Sequence, residues 1–357
     1  MDIPCQRLLS QRLTGARLAH PAEVVRWMGA MQAQDYAQAL WAVGLRTNGA
    51  SLADVERAID ERKIVWTWPL RGTLHFAPAE DVRWMRRLSA PRTLAAGNRR
   101  LVQLGLDDGT IEECGRLFQQ ALAGGKRLTR QAMMALLTDA GINPQGQRGY
   151  HILWHLSQTG LICLGPLAGK QQTFVLLDEW VPAAHEIARE EALAELAGRY
   201  FASHGPATLP DLARWAGLTL TDARAGLDAT RSRLTSATVG GNEYWMSAEL
   251  AVGVACEAPS VLLLPGFDEY LLGYKDRDAV LAAEHAEKVV PGKNGIFLPT
   301  VVVAGQVVGT WKRTVKRNAV EIAVTPFSRI ELARERIIEA AERYAAFTGL
   351  SLSRVAV

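Results

Sequence analysis

Residues 128–181 read LTRQAMMALLTDAGINPQGQRGYHILWHLSQTGLICLGPLAGKQQTFVLLDEWV and decide the predicted fold. Thr129 is a helix-capping residue type at the start of a predicted helix over Arg130–Asp139, and Gly141 tolerates the left-handed conformation that ends helices. A second helix is predicted over Tyr150–Thr159, stopping at Gly160. Two β-type runs follow around a turn-rich stretch at 165–170, namely Leu161–Leu164 and Thr173–Leu177. Helix, turn, helix and hairpin in this order predict a winged helix.

The same order occurs on both sides of this stretch. Downstream, helices are predicted over Glu191–His204, between Thr208 and Gly217, and over Thr221–Thr230. A hairpin follows, in which Leu234–Val239 and Tyr244–Ser247 flank Gly240-Gly241-Asn242. Upstream, the pattern predicts helices over Pro21–Met31 and Ser51–Arg62, then strands over Val65–Pro69 and Thr73–Ala77. The chain therefore contains three non-identical copies of one plan, the alternative being a generic α+β protein without repeats.

The last hundred residues differ from the three copies. Strands are predicted over Val261–Leu264, Thr300–Val303, Val307–Trp311 and Val320–Val324, with a closing helix over Ile330–Thr348. The predicted fold is α+β: three tandem winged helices (1–105, 106–183, 184–256) and a C-terminal β-rich domain (257–357).

Composition narrows the class of protein. Of 357 residues, 48% are hydrophobic and 22% charged, which is typical of a globular chain and excludes a disordered one. No apolar run reaches the roughly 18 residues of a membrane span, and the N-terminus carries charges where a signal peptide is apolar. We therefore expect a cytoplasmic protein with no membrane partner.

Neither the cysteines nor the histidines predict a metal site. Cys5, Cys114, Cys163 and Cys256 are widely separated and form no paired motif. His151 and His155 have the spacing of a zinc helix, but no glutamate follows His151 and no third ligand is evident. We expect no metal and no cofactor, with these histidines packed or facing a groove.

Basic residues are concentrated in two stretches, although the formal net charge is only +3. Residues 83–100 hold six arginines and no acid, and residues 311–317 hold four basic residues next to a predicted hairpin tip, Lys316-Arg317-Asn318. Two acid-free clusters favour a surface that binds phosphates. The alternatives are a solvated surface for the arginines and a charged sheet edge for the hairpin.

The segment Met31-Gln32-Ala33-Gln34-Asp35 is the candidate active site. Glutamines two residues apart lie about 200° apart on a helix but on one side of an extended segment. If both line one site, the preceding helix must end near Met31; the alternative is a polar helix end. An acidic pair, Asp268 and Glu269, could also be catalytic, but a structural role fits it better.

Four motifs together resemble the HTH_42 superfamily of bacterial winged-helix DNA glycosylases, the AlkZ and YcaQ relatives. They are Gln32-Ala33-Gln34, WPLRGTLH at 68–75, LPGFDEYLLGY at 264–274 and GTWKR at 309–313. The motifs span nearly the whole chain, and the two-glutamine form resembles the AlkZ side. The resemblance implies catalytic roles for Gln32 and Gln34, and an enzyme that releases N7-alkylated purines or unhooks interstrand crosslinks.

The resemblance also implies double-stranded DNA carrying alkylated or crosslinked purines as the partner. Candidate DNA-binding residues, taken from the motifs and the basic stretches, are Arg71, His75, Arg86, Arg87, Trp311, Lys312, Arg313, Lys316 and Arg317. We expect a monofunctional glycosylase without lyase activity, acting as a monomer. The rival hypotheses are a non-enzymatic winged-helix transcriptional regulator and a structural interaction module.

Overall fold

The computed structural model describes residues 1–250, 261–328 and 334–357, with Lys293 described by its backbone alone. The chain divides into two compact units. The first unit combines Met1–Val55 with Leu193–Val357, and the second consists of Glu56–Ala192. The second unit is thus inserted into the sequence of the first. The predicted boundaries near residues 105, 183 and 256 remain predictions, and the last lies outside the described residues.

The N-terminal part of the first unit is mostly helical. Its elements are α1 (Ile3–Ser10), α2 (Pro21–Met28), β1 (Met31–Gln32), α3 (Tyr36–Arg46) and the start of α4 (Leu52–Asp60). Asp2 caps α1 by accepting a 3.0 Å hydrogen bond from the Cys5 backbone. Helix α2 ends three residues earlier than predicted, because Gly29 turns the chain with a φ of 78°.

The second unit packs helices against one sheet. Its elements are β2 (Ile64–Leu70), β3 (Thr73–Pro78), α5 (Val82–Gln103), α6 (Asp108–Leu122), β4 (Leu128–Thr129), α7 (Arg130–Asp139), α8 (Arg148–Gln158), β5 (Ile162–Ala168), β6 (Gln171–Leu176) and α9 (Leu177–Trp180). Within this unit the strands lie in the order β3, β2, β5, β6 and β4. Val65, Val82, Cys163 and Val175 belong to one buried hydrophobic cluster, which holds the sheet against α5.

The remainder of the first unit begins within α10 and ends in a second sheet. Its elements are α10 (Arg189–His204), α11 (Leu209–Ala216), α12 (Leu220–Thr230), β7 (Leu234–Val239), β8 (Asn242–Ser247), β9 (Val261–Leu264), α13 (Glu269–Leu272), α14 (Ala286–Val289), β10 (Thr300–Val303), β11 (Gln306–Val315), β12 (Ala319–Pro326), α15 (Arg334–Thr348) and β13 (Ser351–Ala356). Strands β7 and β8 form a separate hairpin, and the larger sheet has the order β13, β12, β11, β10 and β9. All its neighbours are antiparallel except β12 and β13, which run parallel.

Most predicted elements are present with ends shifted by a few residues. Thr129 caps α7 by accepting from Ala132, and Gly217 adopts the left-handed conformation at the end of α11. Strand β11 extends four residues beyond the predicted end at Trp311. Strand β13 was not predicted. The predicted start of the last helix at Ile330 lies outside the described residues.

Two further observations concern membrane spans and the cysteines. Across the described ranges, no helix is both long enough and apolar enough to cross a membrane. Cys114 and Cys163 are free and buried. The expected cytoplasmic location stays a prediction.

Candidate active site

Gln32 and Gln34 lie on non-helical backbone and their side chains meet. Helix α2 ends at Met28, and β1 carries Gln32 in an extended conformation. The Gln32 Nε2 donates a 2.6 Å hydrogen bond to the Gln34 Oε1. The helix therefore ends before the glutamines, as predicted, and the two amides lie side by side; that they line one active site stays a prediction.

The neighbours of the two glutamines fix the segment in place. Ala33 is fully buried, so the small residue faces the core while the flanking amides project to the other side. Asp35 caps α3 by accepting a 3.1 Å hydrogen bond from the Gln38 backbone. Gln32 is only 9% exposed, whereas Gln34 is exposed. One amide thus lies at the protein surface and the other directly beneath it.

A buried carboxylate supports the backbone of Gln32. The Gln32 backbone N–H donates to Glu269 Oε1 at 2.9 Å, and the indole N–H of Trp215 donates to Glu269 Oε2 at 3.0 Å. The Nε2 of His204 lies 3.6 Å from the same Oε2. All three supporting side chains are at most 1% exposed. Burial lowers the pKa of His204, and the neighbouring Glu269 opposes that shift.

The adjacent carboxylate, Asp268, has a different role. It forms a bidentate ion pair with Arg46, with distances of 2.9 and 2.8 Å, and both side chains are buried. It also caps α13 by accepting from the Tyr270 backbone. The predicted structural role therefore fits Asp268, whereas Glu269 contacts the candidate site. Sequence reasoning missed Glu269, Trp215 and His204 as supports of Gln32.

The basic hairpin forms as predicted, with its tip between β11 and β12. Val315 pairs with Val320, and the Lys316 backbone N–H donates to the Ala319 carbonyl oxygen. Lys312, Lys316 and Arg317 are exposed. Lys316 also forms an ion pair with Glu321 on β12. Arg313 is half-buried, with its guanidinium 5.7 Å from the ring centroid of Tyr344.

Trp311 is a correction to the predicted DNA-binding set. Its side chain is 1% exposed, and its indole N–H donates a 2.7 Å hydrogen bond to the Leu264 carbonyl oxygen. Its ring also packs edge-on against Tyr344 at 5.3 Å. Trp311 is thus a core residue of the first unit and has no surface to offer to DNA.

His75, in the second unit, is a second correction. It is fully buried, with Nδ1 2.8 Å from the Thr73 carbonyl oxygen and Nε2 3.2 Å from an Arg71 Nη2. A buried imidazole cannot reach a groove, and both ring nitrogens of His75 face atoms of the protein. Arg71 is half-buried, at a φ of 54° in the turn between β2 and β3.

The arginine-rich stretch lies on α5 of the second unit, and several of its side chains make intraprotein contacts, including Arg100, which donates to Gln147 at 2.7 Å. Arg83 pairs with Asp178 at 2.8 Å, and Arg87 forms a two-bond pair with Glu186 at 2.7 and 3.0 Å. Arg86 donates to the Gln158 carbonyl oxygen, and burial lowers its pKa. Arg92, Arg99 and Arg100 are exposed. Phosphate binding by Arg86 and Arg87 stays a prediction that these contacts oppose.

The two histidines of α8 are half-buried. His151 contacts Tyr150 and Trp154 edge-on, and burial lowers the pKa of both His151 and His155. Within the residues that the structure describes, no group of three histidine, cysteine or acidic side chains is placed to hold a metal ion.

The chain is similar to known DNA glycosylases in both sequence and structure. A family model described as DNA glycosylase AlkZ-like matches residues 25–347. An interstrand DNA cross-link repair glycosylase from Streptomyces sahachiroi is 29% identical over 339 residues, covering 89% of this chain and 88% of the relative. The solved structure of the Streptomyces sahachiroi DNA glycosylase AlkZ matches with a TM-score of 0.80 and 25% identity, covering 99% of this chain and 98% of that one.

Proposed function

Because the chain belongs to the family of AlkZ-like DNA glycosylases, we propose that it hydrolyses the N-glycosidic bond of N7-alkylated purines in double-stranded DNA. Gln32 and Gln34 are the catalytic residues in this proposal. The observation that carries it is the 2.6 Å hydrogen bond that brings the two amides together beside the buried Glu269. The non-enzymatic regulator has no comparable observation in its favour.

The chemistry suits neutral amides. Alkylation at N7 makes the purine cationic, so the bond from C1′ to N9 breaks with its electrons moving onto the base. The sugar becomes oxocarbenium-like, water adds at C1′, and one proton of that water leaves to solvent. An amide is a poor base, but its carbonyl dipole stabilises developing positive charge and its polar atoms orient water.

The hydrogen bond between the glutamines supports these roles of the two amides. Because Gln32 donates to Gln34, the orientation of each amide depends on the other, and both are held before substrate arrives. Such a site accelerates the loss of bases that are already good leaving groups. It gives little help to unmodified purines, so selectivity comes from the lesion.

The proposal extends to crosslinked DNA. The relative from Streptomyces sahachiroi carries the name of an interstrand cross-link repair glycosylase, and Gln34 is exposed here. A crosslinked base cannot swing freely into a deep pocket, and a surface amide can reach a nucleotide that stays close to the duplex. We include N7-linked crosslinks among the substrates.

The architecture in this proposal is three tandem winged helices that bind duplex DNA together with the β11–β12 hairpin. Exposed Lys312, Lys316 and Arg317 support the role of that hairpin in phosphate binding. No lysine nucleophile takes part, so the product is an intact abasic strand.

The decisive test uses a duplex with a single N7-methylguanine and a second duplex with an N7-linked crosslink. Incubation with the protein is expected to release free N7-methylguanine from the first and to separate the strands of the second. Borohydride added during the reaction is expected to trap no protein–DNA adduct. Failure to release base from any alkylated or crosslinked duplex would refute the enzyme and favour the regulator.

A further inference from the structure

Glu269 lies between the candidate active site and the helices α10 and α11. We propose that Glu269 is a positioning residue for the reaction: it acts through Gln32, by fixing the backbone from which the Gln32 amide projects. The inference rests on the proposed catalytic role of Gln32 and assigns a function to a side chain outside the glutamine pair.

Both oxygens of the Glu269 carboxylate are engaged from different directions. Oε1 accepts from the Gln32 backbone at 2.9 Å, and Oε2 accepts from the Trp215 indole at 3.0 Å. A hydrogen bond to a charged acceptor is stronger than one between neutral groups. At 1% exposure the carboxylate is shielded from water, which would otherwise compete for these donors.

Trp215 is itself held rigidly, so it can act as an anchor. Its ring centroid lies 5.0 Å from that of Tyr200 and 5.1 Å from that of His204. Tyr200 and His204 are stacked at 4.8 Å with 14° between their planes. This aromatic cluster prevents the indole from turning away, and it thereby fixes the direction of the carboxylate.

The strand that carries Gln32 needs this support. Strand β1 is two residues long and follows Gly29, a joint with a φ of 78°. A Cβ at Gly29 would lie 3.5 Å from Cη2 of Trp215. Trp215 therefore packs near the turn before the strand and, through Glu269, also secures the strand itself. A displacement of about 1 Å at a reacting group can lower a rate by about a hundredfold.

The test is a double-mutant cycle with single-turnover kinetics on N7-methylguanine DNA. Glu269→Gln keeps the size of the side chain but replaces one carboxylate oxygen by an NH2 group. That NH2 group then faces the N–H of either Gln32 or Trp215, so one of the two hydrogen bonds is lost. We expect the rate to fall about ten- to a hundredfold. Two controls accompany the rate measurement: the affinity for a duplex with a tetrahydrofuran abasic site, and the melting temperature. We expect the affinity of Glu269→Gln to stay within about twofold of the wild-type affinity.

The cycle separates positioning from general structural support. If Glu269 acts through Gln32, adding Glu269→Gln to Gln32→Ala lowers the rate no further than Gln32→Ala alone. Losses that multiply in the double variant, or a Glu269→Gln protein as fast as wild type, would overturn the inference. Full activity of Gln32→Ala would instead refute the catalytic role proposed for Gln32, since Glu269 is intact in that variant, whereas the absence of base release by the wild type would refute the glycosylase itself.

Trp215→Phe provides a second route in case Glu269→Gln does not fold. It removes the indole donor while retaining an aromatic ring, and the loss of one hydrogen bond corresponds to a rate fall of about two- to tenfold. That fall should again vanish in the Gln32→Ala background. An unchanged rate in Trp215→Phe, or a fall that persists without the Gln32 amide, would count against the positioning role.

Discussion

The Gln32 side chain donates a 2.6 Å hydrogen bond to the carbonyl oxygen of the Gln34 side chain. The pair behaves as one unit, because removing either amide releases the other. We therefore expect Gln32→Ala and Gln34→Ala each to lower single-turnover base release by about a hundredfold or more. The double variant should lose little beyond either single variant, since residues that act as a unit are not additive. The measurement is the rate of base release, with DNA affinity beside it.

The matched control for these variants is Gln119→Ala, which removes an exposed glutamine of α6 in the second unit. Its rate should equal that of wild type. Full activity in the double variant would end the assignment of the glutamine pair.

Gln34→Asp tests whether the second amide acts electrostatically. A carboxylate at this exposed position keeps an acceptor for the Gln32 amide and adds negative charge near the developing cation. We expect Gln34→Asp to retain more activity than Gln34→Ala in the same single-turnover assay. An aspartate variant that is as slow as the alanine variant would show that charge stabilisation is not the role.

The charged hairpin predicts a salt dependence. Lys312→Gln combined with Arg317→Gln removes two exposed charges beside the tip and leaves the pair between Lys316 and Glu321 in place. Each lost phosphate contact lowers the slope of log affinity against log salt by about 0.9, so we expect a fall of about 2. Binding titrations from low to moderate salt measure it. A slope equal to wild type would support the hairpin as a guarded sheet edge.

The Arg46–Asp268 pair predicts a stability effect. Asp268→Asn leaves a fully buried guanidinium without its charged partner, which typically costs about 3–5 kcal/mol. Urea denaturation is expected to show this loss. The control is Glu339→Gln, since its pair with Arg336 has side chains 58% and 54% exposed and such pairs contribute about 0–1 kcal/mol. Equal stability of the two variants would contradict the structural role of Asp268.

His204 predicts a pH dependence of stability. Burial lowers the pKa of His204 in the folded protein. Glu269 and Asp268 raise this pKa because they attract the protonated ring, whereas Arg46 lowers it further by repulsion. The unfolded chain therefore takes up this proton at a higher pH than the folded protein, so stability falls as pH drops below about 6.5. His204→Asn is expected to reduce the fall of the melting temperature between pH 7 and 5. Identical pH profiles for the variant and wild type would contradict it.

Much of the local structure could be predicted from single residue types. Thr129 as a cap, Gly217 as a terminator and the Gly240-Gly241 turn all act within a few residues of the chain. Strand β13 could not be found this way. It is short, half of its residues are exposed, and its parallel partner β12 is separated from it by a helix.

In the candidate site, too, residues that are close in sequence could be predicted and distant ones could not. The glutamine pair was visible because its two members are neighbours in sequence, whereas Glu269 follows Gln32 by 237 residues. Trp311 was misplaced because a basic stretch does not reveal which side of a strand faces the core. Successive residues of β11 alternate, so Trp311 is buried while Lys312 is exposed.

The bond between Gln32 and Glu269 also has a consequence for the timing of biosynthesis. Translation proceeds at about 5–20 residues per second, so the carboxylate is made roughly 12–47 s after the strand it holds, which precedes it by 237 residues. The inserted second unit is completed in that interval and can fold first. A nascent chain therefore carries both glutamines long before it can hold them in place, and the site can form only after Glu269 has been made.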